Sequence, residues 1–85
     1  MTKAEELSAL ADGRGCLAKS QDEEPIFILC ARDTFAAGMV REWADRVEST
    51  AARIGELTKD RIAKVADARR LALAMDNWPV KRLPD

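Results

Sequence analysis

The chain contains no histidine and only two cysteines among its 85 residues. The missing histidine removes the commonest metal ligand and the commonest general base at neutral pH. Cys30 therefore has no imidazole to activate it, and a Cys–His nucleophile is excluded. Cys16 and Cys30 show no close ligand spacing, so neither a metal nor another cofactor is expected. The first residues, MTKAEELSAL, carry Lys3, Glu5 and Glu6 where an export signal needs an apolar core. No hydrophobic run approaches the roughly 20 residues that a membrane span requires. These absences predict reduced thiols, packed as small core residues, in a protein of the cytoplasm with no membrane partner. Aromatics are scarce too, with two Trp, two Phe and no Tyr. A domain of this size with so thin a core gains from self-association, and a homodimer or higher oligomer is expected.

An excess of charge of one sign is also lacking: 14 Lys and Arg stand against 15 Asp and Glu. Residues 1–33 hold four basic and seven acidic side chains, a net of −3, and residues 34–85 hold ten and eight, a net of +2. Neither part concentrates the positive charge that general nucleic-acid binding requires, so a nucleic-acid partner is disfavoured. A transcription regulator fits poorly as well, because residues 34–78 lack a compact helix-turn-helix spacing and a basic recognition face.

What is present is helix punctuated by a few breakers. Thr2 and Glu5 match a capping box, Leu7, Leu10 and Ala11 form an apolar stripe, and Gly13 offers a left-handed stop. A short helix of about three turns follows from these signals. Pro25 then precedes Ile26-Phe27-Ile28-Leu29-Cys30, a β-branched and aromatic run bounded by breakers, which reads as a strand. Its partner would be Cys16-Leu17-Ala18-Lys19, returning antiparallel through the loop 20–24, or the same strand of another subunit.

Asp33 or Thr34 is placed to cap the next helix. From there Ala36, Val40, Trp43, Val47, Thr50, Ile54 and Leu57 recur at alternating steps of four and three, close to a coiled-coil seam, with Phe35, Met39 and Ala51 broadening the stripe. Arg41 with Asp45, and Glu42 with Arg46, stand one turn apart as solvated pairs. Gly55 either ends this helix, with Thr58 capping a new one, or is tolerated within it. A further amphipathic helix presents Ile62, Val65, Ala68, Leu71, Ala72, Met75 and Trp78, and Pro79 stops it before a short tail. The expectation is one small α+β domain over residues 1–85, with residues 79–85 as the tail. It comprises a leading helix, a small antiparallel β-ribbon and two long amphipathic helices.

Chemistry is sparse. Gly13-Arg14-Gly15 and Lys19-Ser20 lack the spacing of a phosphate-binding loop. The Cys30 thiol beside Arg32 reads first as a small buried residue at a strand end. One possible ligand site lies where strand gives way to helix. Lys19, Arg32 and the backbone at Asp33 and Thr34, with Arg14 as an outer contributor, would form an intersubunit pocket for an anionic small molecule. The plainer reading, in which Asp33 caps and Arg32 pairs with the acidic loop, is preferred on the residues alone. Asp22, Glu23 and Glu24 provide a second surface, suited to docking a protein, although such runs are usually solvated turns. Paired carboxylates need a rigid concave surround to work as acid and base, and the chain has little scaffold for one. No enzymatic activity is expected.

The segment LAKSQDEEPIFILCARDTFAAGMVREWADRVE carries Leu17, Lys19, Glu24, Pro25, Phe27, Leu29, Asp33, Val40, Trp43 and Ala44. In this pattern it resembles a group of small uncharacterised proteins encoded by bacteriophages and prophages. The resemblance covers under half the chain, with ALAMDNW near the end fitting loosely. Cys30 departs from the basic or aliphatic residue expected there. The resemblance implies a phage accessory protein in the host cytoplasm and assigns no catalytic residue. By analogy with small phage proteins that counter host defences, it would sequester an anionic, nucleotide-type signalling molecule. Alternatively it would inhibit or adapt a host protein through its acidic loop and helix surface.

Overall fold

The computed structural model describes residues 1–83, so Pro84 and Asp85 of the expected tail lie outside the described residues. Four helices follow one another: α1 (Lys3–Ala11), α2 (Gly15–Lys19), α3 (Ala36–Arg53) and α4 (Lys59–Asp76). They pack in two pairs, α1 with α2 and α3 with α4. Local signals explain the boundaries. Thr2 Oγ1 accepts from Glu5 N at 3.2 Å to open α1, and Gly13, at φ +70°, closes it with Arg14 N donating to Ala9 O. Gly55, at φ +74°, ends α3 in the same way, with Glu56 N donating to Ala51 O at 2.7 Å. Thr58 Oγ1 then caps α4 through Arg61 N. Gly55 is thus a stop, and the short connection turns α4 back antiparallel along α3.

The expected α+β architecture is overturned. Among the described residues no β-strand forms, and the one bridge is an isolated parallel contact between Asp33 and Arg82. The segment 16–19, cast as a returning strand, lies within α2, where the turn at Gly15 (φ +85°) starts a helix against α1. Among the described residues, no strand pairs with residues 26–30, and Cys30 O accepts from Asp33 N in the turn that follows. The physical reason is local: a strand needs a ladder, and the only nearby candidate found its hydrogen bonds within a helical turn. The proposed thiol burial fails with the ribbon, since Cys16 and Cys30 are both free and exposed.

The core is small in both senses. Its buried residues are Ala36, Ala37, Ala44, Ala51, Val65, Ala72 and Met75, with Leu29, Ala31, Val40 and Leu71 packed against the end of the hairpin nearest Ala36 and Met75. Ala37, Ala44 and Ala51 stand seven residues apart on α3, as Val65 and Ala72 do on α4, so a seam of small side chains lets the two backbones approach closely. Ala36 of the seam read from the sequence is buried as expected, and Ala51 from its margin joins it, but Ala44 and Ala51 take the contact that Trp43 and Thr50 were expected to make. Large side chains would hold the helices apart, so they sit on the flank and alanine takes the centre.

Charge closes one flank of the seam. Arg41 pairs with Asp76 across the helices, and Arg69 reaches Asp45 at 2.9 Å and Glu48 at 3.0 Å. Of the pairs expected within α3, Glu42–Arg46 forms at 2.8 Å, whereas Arg41 and Asp45 turn to α4 instead. The tail ties the opposite chain segments together: Arg82 N donates to Arg32 O, and Thr34 N to Arg82 O. Lys81 Nζ donates to Ala31 O at 2.8 Å and to Met75 O, placing a cation at the C-terminal end of α4.

Candidate functional site

The residues proposed to hold an anion have separate local tasks. Arg14 precedes α2 and pairs with Asp12 at 2.9 Å, while Lys19 closes that helix. Arg32 and Asp33 belong to the turn before α3, where Asp33 Oδ1 accepts from Phe35 N at 2.8 Å. Thr34 contributes its amide to the tail rather than leaving it open for a ligand. Phe35 occupies the cap position that had been expected at Asp33 or Thr34. Among the described residues, no hydrogen bond or ion pair joins Arg14 or Lys19 to the turn at Arg32–Thr34. The structure therefore brings Arg32, Asp33 and Thr34 together with the tail, and leaves Arg14 and Lys19 on the α1–α2 pair.

Asp22, Glu23 and Glu24 are all exposed on a tight turn in which Glu24 N donates to Gln21 O. Beyond Pro25, Ile26, Phe27 and Ile28 also face solvent, Phe27 at 85% of its full exposure. Among the described residues, the backbone of 25–29 makes no hydrogen bond. Leu29 packs on the hairpin and anchors the far end of this segment. An acidic turn thus runs into an exposed apolar triplet fixed at both ends.

A second apolar surface was hidden within the sequence stripe of α3. Phe35, Met39, Trp43 and Ile54 are 59%, 51%, 50% and 57% exposed on one flank of the hairpin. An open, shallow groove of about 340 Å³ continues it between Arg46, Val47, Thr50, Ile54 and Arg61. The signal was legible in principle: apolar residues of α3 cover a wider arc than one partner helix can bury. Trp78, expected on the buried side of α4, is likewise half exposed.

Perturbed ionisation occurs on the opposite flank. Hydrogen bonding from Arg41 holds the Asp76 carboxyl below its ordinary range, and Arg69 does the same to Glu48. Both guanidiniums are correspondingly held in their charged form. These groups clasp two helices in solvent rather than line a cleft, so they have the character of structural pairs. No helix among the described residues is long and apolar enough to cross a membrane. Set against known proteins, the chain matches no protein-family profile, no curated protein and no solved structure.

Proposed function

We propose that the chain acts without catalysis, by binding another protein through residues 22–28. The observation that carries this reading is the exposed run Ile26-Phe27-Ile28 beside Asp22-Glu23-Glu24, with its backbone unpaired. Contiguous large apolar side chains rimmed by charge are a docking feature more than a folding one. The complementary partner is a protein with an apolar groove bordered by Lys or Arg. The apolar triplet supplies contact area there, and the acids supply orientation and association rate. In the setting that the phage resemblance implies, that partner is a host protein, and the chain works in the host cytoplasm as an inhibitor or adaptor.

A photo-crosslinking residue at position 27, in cells producing the protein, tests this directly. The expected outcome is one dominant adduct, whose purified protein binds the unmodified chain. Binding falls at least ten-fold with Phe27→Asp and with the triple change of Asp22, Glu23 and Glu24 to Ala. A partner that binds both variants as well as the unmodified chain overturns the proposal. Native mass spectrometry separates the sequestration reading. A nucleotide-sized adduct, lost on charge reversal of Lys19 and Arg32 but retained without the acids, would replace protein docking by ligand capture.

A further inference from the structure

We propose that the exposed apolar face of α3 is a self-association surface, on which α3 of a second copy packs antiparallel about a two-fold axis. The face is distinct from residues 22–28, and the proposal stands independently of the docking function given to them.

Phe35, Met39, Trp43, Arg46, Thr50 and Ile54 follow at steps of 4, 4, 3, 4 and 4, so their spacing reads the same in both directions. Antiparallel pairing sets Phe35 level with Ile54 of the second copy, Met39 with Thr50, and Trp43 with Arg46. A two-fold interface needs this property, because one patch must meet itself. At the centre, each Arg46 guanidinium comes over the indole of the other copy's Trp43, a favourable cation–π arrangement. In an antiparallel pair each edge of the helix also meets its own copy. Glu42, already 2.8 Å from Arg46 of its own helix, then comes within one residue of level with Arg46 of the second copy. Parallel pairing would instead set Arg46 level with Arg46, like charge against like.

The chain leaves more surface open than a compact monomer of its mass. The chain exposes 6964 Å², against about 5,000 Å² for a compact folded monomer of its 9.4 kDa mass. That excess is spread over the whole chain, and the α3 face contributes Phe35, Met39, Trp43 and Ile54, each at least half exposed, to it. The face runs along about 28 Å of helix. Its position favours it too, because the other flank of α3 is already closed by the ion pairs to α4.

Sedimentation equilibrium of the full chain at about 100 µM, where a micromolar interface is occupied, is the first test. A dimer is expected. Trp43→Glu raises its dissociation constant roughly thirty-fold or more, as loss of a central anchor does, with helical circular dichroism unchanged. Ile54→Lys, at the end of the face, weakens it in the same direction, should Trp43→Glu disturb folding. Orientation is read by disulfide trapping with Cys16 and Cys30 replaced by Ser. Chains carrying Phe35→Cys, mixed with chains carrying Ile54→Cys under a thiol oxidant, form the mixed disulfide in preference to either like pair. A monomer at that concentration, a dimer indifferent to both substitutions, or a majority of like pairs overturns the proposal.

Discussion

Individual residues in this protein are assigned by what a charged or capping group can reach. Asp76 and Glu48 each accept from an arginine on the opposite helix, and both titrate below their ordinary values of 3.8 and 4.5. The folded chain therefore keeps these carboxylates ionised at a pH where the unfolded chain has taken up protons. Their stabilisation is complete above the ordinary carboxylate range and is lost as pH falls through the lower folded values. Arginine stays protonated throughout, so the acid limb belongs to the carboxylates. Urea midpoints should be flat from pH 6 to 8 and decline below about pH 5.5, where unperturbed carboxyls begin to protonate. Because the pairs are only half covered, high salt should flatten that decline. A decline equally steep in low and high salt would remove these pairs as its cause.

Elements are governed by the alanine seam. Ala44 has no exposure between α3 and α4, whereas Ala52 of the same helix faces solvent. The same substitution should separate the two positions. Ala44→Leu forces the helices apart at a cost of about 1–3 kcal/mol, while Ala52→Leu stays within about 0.5 kcal/mol of the parent. Chemical denaturation of the two variants measures the difference. Equal losses would mean that the helices are not in close contact at Ala44. The apolar recurrence of α3 was visible in the residues, yet its facing was not. A stripe that runs from Phe35 to Ile54 is broad enough to accommodate two seams one residue apart. Only the demand for close approach by α4, itself rich in alanine, selects the one with small side chains.

At the scale of the molecule, α1 and α2 pack on one another and not on the other two helices. The radius of gyration is 14.1 Å, against roughly 12 Å for a compact chain of 85 residues. Two cooperative levels follow. Amide hydrogen exchange should show α3 and α4 protected to the global stability, and α1 and α2 exchanging by local opening orders of magnitude faster. Matching protection across all four helices would show that the two pairs fold as one unit. The same openness leaves the apolar surfaces at 26–28 and along α3 available to partners.

The sequence alone determined the helix signals that act over one turn at Thr2, a cap, and Gly13, a stop, together with the exclusion of histidine chemistry; at Gly55 and Thr58 it offered either a stop with a new cap or a continuous helix, and the fold chose the stop. Each depends on the conformational limits of a few adjacent residues, which no distant contact needs to supply. It also placed the residues considered for binding, Lys19, Arg32 and Asp22 to Glu24, without deciding which of them meet. Tertiary structure decided the rest. Residues 26–30 have the composition of a strand, but a strand exists only where a second one pairs with it, and residues 16–19 had already closed a helix against α1. Whether Trp43 lies inside or outside depended on which neighbour approached α3 and how near it came. Burial and pairing are properties of two segments together, and for this chain the second segment was always the deciding one.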